Sequence, residues 1–183
     1  LDFLSIAMSE MANISERRTY QLISGQHGLP LFLIKQPGLH SGFMIPQYTT
    51  AALVTENKTL CFPSSADSIP TSLGQEDHVS MGSISGRKVN RVLDNLEFIL
   101  AIELLSACQA IEFRRPLKSS ALLEFAHDHV RQFVGFAEED RIFADDINIV
   151  AGMIKDFSFV NKLNDFATAG NIQLNEGFGE FSV

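Results

Sequence analysis

Residues 89–111 of the 183-residue chain read VNRVLDNLEFILAIELLSACQAI, and this stretch decides the fold class. Its apolar residues recur at intervals of three and four, which places their side chains on one face of an α-helix. They are Val89, Val92, Leu93, Leu96, Ile99, Leu100, Leu104, Ala107 and Ile111. We expect one helix from Asp77 to Phe113, which at 37 residues would be about 55 Å long. A helix of that length needs partner helices to cover its apolar face, so the pattern predicts a helical bundle.

Shorter helical patterns lie on both sides of the long one. A first helix is expected from about Asp2 to Arg18, and Pro46 either starts or kinks the second. Two more helices follow the long one, the first capped by a serine at 119 or 120 and the second by an aspartate at 145 or 146. Because no segment alternates with the two-residue period of a strand, the sequence predicts an all-α protein.

The helical pattern ends near Phe159. From Asn161 to Val183 the sequence has no clear period, so we expect this part to be peripheral or poorly ordered. The chain is therefore divided into a helical portion, residues 1–159, and a tail of unknown role, residues 160–183.

The composition argues against several classes of function. The net charge is −8 and the pI is about 5.0, whereas proteins that bind nucleic acid carry clustered lysine and arginine. No apolar run is long enough to span a membrane, and no basic run is long enough to bind the surface of one. The two cysteines, Cys61 and Cys108, are far apart, which is typical of a reduced, cytoplasmic protein.

The first residues are typical of the middle of a helix. Leu4, Ala7, Met8 and Met11 recur at helical spacing, and no capping residue precedes them. We therefore expect that further sequence precedes Leu1 in the complete protein.

Several polar clusters are more typical of a surface than of a site. His127 and His129 are two residues apart on a predicted helix, so they point to different faces, and we expect both to be exposed. The acidic runs at 138–140 and 145–146 lack the glycine and the alternating ligands of a calcium loop. They indicate a solvated acidic turn before a helix, and no metal site is predicted.

The segment Gln75-Glu76-Asp77-His78 has two interpretations. Its spacing favours a helix cap, with Asp77 as the N-cap residue and Glu76 just outside the helix. In the alternative, these side chains form a polar group at the mouth of the bundle. Free backbone N–H groups and ionisable side chains at helix ends are well suited to bind a ligand there.

Four strings resemble the aromatic amino acid lyase family and occur in the family's order. They are Asn13-Ile14-Ser15-Glu16-Arg17-Arg18, Ser41-Gly42-Phe43-Met44-Ile45, Asp67-Ser68-Ile69-Pro70-Thr71-Ser72 and Gln75-Glu76-Asp77-His78-Val79-Ser80-Met81. The similarity runs from about Leu1 to Phe159 and corresponds to the C-terminal part of these enzymes. It implies a bundle of long helices, as in the fumarase-like superfamily, and a homotetramer whose active sites take residues from three subunits.

The resemblance also implies an ammonia-lyase reaction, which leaves an unsaturated acid; for histidine the product is urocanate. The electrophile of the family is a methylidene-imidazolone made from an internal Ala-Ser-Gly. This sequence lacks that triplet, and its nearest strings are Ile84-Ser85-Gly86, His40-Ser41-Gly42 and Ile23-Ser24-Gly25. The family's catalytic tyrosines and substrate-binding arginine also lie upstream of this chain. We therefore expect the chain to be inactive alone and to need an N-terminal portion.

By resemblance, Glu76 matches the active-site glutamate of the family, and Gln75 lines the substrate pocket. A carboxylate at position 76 favours histidine, whereas members that act on phenylalanine or tyrosine usually carry an amide there. Leu73-Gly74, Pro46 and residues 112–116 depart from typical histidine lyases, so tyrosine stays an alternative substrate. A third hypothesis, which rests on the missing triplet, is a non-catalytic helical module.

Overall fold

The computed structural model describes residues 1–174, which contain six α-helices and two short 3₁₀ helices. The α-helices are α1 (Asp2–Ile23), α2 (Met44–Leu60), α3 (Gly82–Glu112), α4 (Ala121–Arg131), α5 (Phe143–Lys155) and α6 (Ser158–Ala169). The 3₁₀ helices, Ser64–Ala66 and Ser72–Gly74, both lie between α2 and α3. Residues 1–174 contain isolated bridges but no strand, so the all-α prediction is confirmed for them.

Helix α3 is the element on which four of the other α-helices pack. Its 31 residues are about 46 Å long, and it contacts α1, α2, α4 and α5. One core cluster joins its N-terminal half to α1 and α2 and consists of Met8, Ala12, Val54, Val89, Val92, Leu96 and Ile99. A second joins its C-terminal half to α4, α5 and the loop after α1, and includes Leu33, Leu105, Val130, Val134 and Val150. The apolar face predicted from residues 89–111 is therefore covered by a bundle.

The start of α3 differs from the prediction. The helix begins at Gly82 rather than Asp77, and its N-cap residue, Met81, makes no side-chain cap. Asp77 is therefore not a helix cap. The physical reason is that the backbone of Glu76 is hydrogen-bonded to Thr71, which holds this segment in an extended hairpin instead of a helical turn.

The first two helices follow the sequence pattern more closely. Helix α1 continues to Ile23, five residues beyond the predicted end at Arg18. Pro46 lies in the first turn of α2 and so starts the helix rather than kinking it. Proline is tolerated there because an N–H in the first turn has no partner within the helix.

Of the two cap predictions, the one for α4 is confirmed and the one for α5 is wrong. Ser120 caps α4, and its hydroxyl accepts a hydrogen bond from the Leu123 N–H at 3.4 Å, as predicted. The prediction for α5 was wrong, because this helix begins at Phe143 and has no side-chain cap. Asp145 and Asp146 lie in its first turn, where a negative charge is favourable at the positive end of the helix dipole.

Helix α6 crosses the predicted boundary between residues 159 and 160. The sequence has no clear helical period in this region, yet Ala167 is buried and Phe166 stacks on Phe125 with ring centroids 4.2 Å apart. The rest of the predicted tail, residues 175–183, lies outside the described residues, so the expectation that it is peripheral or poorly ordered stays a prediction there. No helix within residues 1–174 has the length and hydropathy needed to cross a bilayer.

Candidate active site

Gln75 and Glu76 lie on a hairpin near the end of the loop between α2 and α3. The Thr71 N–H donates to the Glu76 carbonyl at 2.8 Å, and the Glu76 N–H donates to the Thr71 carbonyl at 3.3 Å. Ser72, Leu73 and Gly74 form the tip of this hairpin with φ values of 55°, 58° and 87°. Two of these three are L-residues in the left-handed region, so the tip is a strained turn.

The structure places all four residues of the Gln75–His78 segment at the surface. Their side chains are exposed, and so is that of Leu73 at the tip. In residues 1–174 the hydrogen bonds of Glu76 are made by its backbone, and its carboxylate has no partner. The hairpin therefore brings Gln75 and Glu76 together and leaves the carboxylate available.

The base of the loop is tied to the helices. The Ser65 N–H donates to the Asp2 carboxylate of α1 at 2.9 Å, and the Lys88 ammonium of α3 binds the Phe62 carbonyl. Within the loop, the Val79 N–H donates to the Ser68 hydroxyl at 3.1 Å. The start of the loop is therefore hydrogen-bonded to two helices, whereas the tip of its hairpin is exposed.

The three serine–glycine strings do not fit the cofactor of the family. Ser85 is buried inside regular helix α3, and the Ser24 hydroxyl binds the Gln21 carbonyl at 2.7 Å at the end of α1. The N–H groups of Ser41 and Gly42 donate to the Asp140 carboxylate at 2.9 and 2.7 Å. Each string has a structural role and none begins with alanine, so none of the three is suited to form a methylidene-imidazolone.

A buried polar cluster at the other end of α3 was not anticipated from the sequence. His127 is only 5% exposed, with Nε2 at 3.0 Å from a Glu112 oxygen and Nδ1 at 3.0 Å from Asp128. Arg131 donates to Glu112 at 3.2 Å. The prediction of an exposed His127 was therefore wrong, because Glu112 comes to it across the α3–α4 contact.

His129 also differs from the prediction. It is partly buried, and its ring lies 6.2 Å from Phe125 and 5.6 Å from Phe133. A local signal for the His127 contact did exist: His127, Val130 and Arg131 are three and four residues apart on one face of α4. Within residues 1–174, no group of three His, Cys, Asp or Glu residues is arranged to hold a metal ion.

The acidic run at 138–140 has a structural role. Hydrogen bonds from the backbone N–H of Ser41 and of Gly42 hold the pKa of the Asp140 carboxyl below its usual range. The two cysteines are both free thiols. Cys61 is partly buried, and burial raises the pKa of the Cys108 thiol to about 11.

The comparison with known proteins agrees with the strings quoted above. The model of the family described as aromatic amino acid lyase matches residues 1–132. A histidine ammonia-lyase of Natranaerobius thermophilus is 48% identical over 165 residues, which is 89% of this chain and 32% of that protein. One of Caenorhabditis elegans is 50% identical over 157 residues, 85% of this chain and 23% of that protein.

Solved structures give the same result. Histidine ammonia-lyase from Trypanosoma cruzi superposes with a TM-score of 0.86 at 46% identity, over 90% of this chain and 33% of that chain. Tyrosine aminomutase from Streptomyces globisporus superposes with a TM-score of 0.85 at 38% identity, over 90% of this chain and 32% of that chain. This chain thus spans a third or less of the length of these proteins. Since the matching model covers most of the chain and the helical framework agrees as well, the chain belongs to the aromatic amino acid lyase family.

Proposed function

We propose that this chain is the segment of a histidine ammonia-lyase that carries its active-site carboxylate, Glu76. In that reaction the Cα–N bond of L-histidine breaks, a proton leaves the β-carbon, and the products are urocanate and ammonia. The observation that carries the proposal is the hairpin, which holds Glu76 by two backbone hydrogen bonds and leaves its carboxylate exposed and unpaired within residues 1–174. The identity of about half to histidine ammonia-lyases over most of the chain supports it.

The proposed role of Glu76 is to bind the substrate. A carboxylate accepts a hydrogen bond from an imidazole N–H or from an ammonium group, and the charge makes that bond roughly twice as strong as a neutral one. The bond strengthens further when other surfaces cover the site and exclude water, because the local dielectric falls. Gln75, next to it on the hairpin, supplies an amide that lines the same pocket.

The electrophile has to come from elsewhere. We propose that the methylidene-imidazolone forms from an Ala-Ser-Gly outside this chain, because the three serine–glycine strings present are structural. The contribution of this chain is the helical framework and the carboxylate.

The exposed apolar residues of α1 support an assembled enzyme. They are Phe3 at 88%, Leu4 at 50%, Ile6 at 43%, Met11 at 55% and Ile14 at 54% exposed. Several large apolar side chains exposed on one helix are suited to an interface. We propose that it packs against the part of the enzyme that this chain does not span, and against other subunits of a cytoplasmic homotetramer.

The test is Glu76→Gln in the assembled enzyme. An amide lacks the negative charge of the carboxylate and binds the substrate more weakly, so we expect kcat/KM for L-histidine to fall about 100-fold or more while the subunit number stays the same. Glu139→Gln, at an exposed carboxylate away from the hairpin, is the matched control and should keep its activity. An unchanged rate for Glu76→Gln would remove Glu76 from the mechanism.

A second candidate substrate is L-tyrosine. It is favoured by the superposition on a tyrosine aminomutase at 38% identity. The ratio of kcat/KM for L-histidine to that for L-tyrosine separates the two, and we expect it to exceed about 10 because Glu76 suits imidazole. A ratio below one would assign the chain to a tyrosine-directed enzyme.

A further inference from the structure

The loop between α2 and α3 is held by a series of hydrogen bonds that leads from the helices to Glu76. It comprises residues 61–81, and a connection of that length inside a compact bundle usually has a function. A long loop tolerates many conformations unless it is tied down, so the position of Glu76 depends on these ties.

Asp2 ties helix α1 to the start of the loop. It lies in the first turn of α1, and its carboxylate accepts the Ser65 N–H of the loop at 2.9 Å. This carboxylate thus fixes the start of the loop against α1.

Two further links carry this anchor to the hairpin. Ser68, three residues after Ser65, accepts the Val79 N–H at 3.1 Å and so closes the two arms of the loop. Beyond it, Thr71 and Glu76 exchange the two backbone hydrogen bonds of the hairpin. Val79 is three residues after Glu76, so the Ser68–Val79 hydrogen bond joins the two arms just before the hairpin.

A second tie acts further from the hairpin. The Lys88 ammonium binds the Phe62 carbonyl and lies 6.0 Å from the centre of the Phe62 ring. It fixes the chain as it leaves α2. Ser65, by contrast, is only three residues from the Ser68 link, so Asp2 controls the part of the loop that determines where Glu76 stands.

We propose that Asp2 is a positioning residue for Glu76, acting through Ser65, Ser68 and Val79. The proposal rests on the function proposed above for Glu76. It assigns to Asp2 no contact with substrate and requires that its effect on turnover pass entirely through the loop.

Amide hydrogen exchange of the 183-residue chain tests the tether without any activity. In Asp2→Ala we expect amides of residues 65–79 to exchange about tenfold faster, because the anchor at Ser65 is lost. Glu10→Ala, at an exposed carboxylate on the same helix, is the matched control and should leave this loop unchanged. Equal exchange in Asp2→Ala and the parent chain would overturn the tether.

A double-mutant cycle in the assembled enzyme tests the link to Glu76. We expect Asp2→Ala to lower kcat for L-histidine about tenfold in the parent enzyme and to cause no further loss in the Glu76→Gln background. The same loss in both backgrounds, or none in the parent, would overturn the positioning role. If Asp2→Ala does not assemble, Ser68→Ala removes the next link and should give the same coupled loss.

The two experiments also separate this proposal from the one on which it rests. A Glu76→Gln enzyme with normal turnover would overturn the proposed function and with it any catalytic role of Asp2. In that case the exchange measurement still decides whether Asp2 holds the loop.

Discussion

Polar side chains near the two ends of α3 differ in burial and in hydrogen bonding. At the C-terminal end, Gln109 is 1% exposed and its amide is hydrogen-bonded within the chain. Before the N-terminal end, the Glu76 carboxylate is exposed and has no partner in residues 1–174. The difference indicates that the first region has completed its contacts within this chain, whereas the second is suited to contacts that come from outside it.

Gln109 shows how the contacts at the C-terminal end of α3 are made within the chain. Its Nε2 donates to the Leu33 carbonyl at 3.1 Å and to the Ala137 carbonyl at 2.8 Å, and its Oε1 accepts the Ala137 N–H at 3.1 Å. A buried polar group is costly unless it is paired, and here the side chain also pairs the backbone of two loops. Gln109 thereby fixes both loops to α3.

The largest expected effect on folding is that of Gln109→Leu. The substitution leaves one N–H and two carbonyls buried without a partner, so we expect the free energy of unfolding to fall by about 3 kcal/mol. Urea unfolding of the 183-residue chain measures it. Gln132→Leu, at an exposed position just beyond α4, is the control and should change stability by less than about 0.5 kcal/mol. If the two variants were equally stable, the amide network would not hold the loops.

Asp140 is intermediate between Gln109 and Glu76, because it is exposed but hydrogen-bonded. Its side chain is exposed, as that of Glu76 is, but it accepts two backbone N–H groups. These hydrogen bonds lower the pKa of its carboxyl in the folded chain. Its stabilising effect is therefore present above the unfolded pKa, about 3.9, and is lost as the pH falls through the folded value.

We therefore expect Asp140→Asn to lower stability by about 1 kcal/mol at pH 7, a value kept small because solvent screens the exposed carboxylate. The difference from the parent chain should shrink as the pH is lowered below about 4. Urea unfolding at several pH values between about 3 and 7 measures this. A difference that does not change with pH would assign the effect to shape rather than to charge.

The helices were predictable because their signal is local. The three- and four-residue spacing in residues 89–111 identified α3, and the serines at 119 and 120 identified the start of α4. The start of α3 was not predictable from spacing, because the hairpin between Thr71 and Glu76 competes with the first helical turn. Helix α6 was missed because its buried face is narrow: in it Ala167 is buried, whereas Phe166 packs through its ring on Phe125.

The candidate site was harder to predict from the sequence than the helices were. Spacing alone favoured a cap at Asp77, and only the resemblance of the Gln75–Met81 string pointed to Glu76. The burial of His127 was missed because its partner, Glu112, lies on another helix. Contacts between elements far apart in sequence therefore set both the caps and the polar networks that periodicity cannot resolve.

The smallest expected effect on folding is that of Glu76→Gln. The same change at the opposite end of α3, Glu112→Gln, is its matched control. Glu112 accepts from Arg131 at 3.2 Å and meets His127 at 3.0 Å, so we expect that variant to lose about 1 kcal/mol of stability. Urea unfolding of both variants at neutral pH gives the comparison.

For Glu76→Gln the unfolding free energy should stay within about 0.5 kcal/mol of the parent chain, because the carboxylate is exposed and makes no hydrogen bond or salt bridge in residues 1–174. The hairpin bonds use the backbone of Glu76, which the substitution keeps. A loss as large as that of Glu112→Gln would mean that Glu76 stabilises this chain directly. Its exposure could then no longer be taken as a sign that the carboxylate is held free for a substrate.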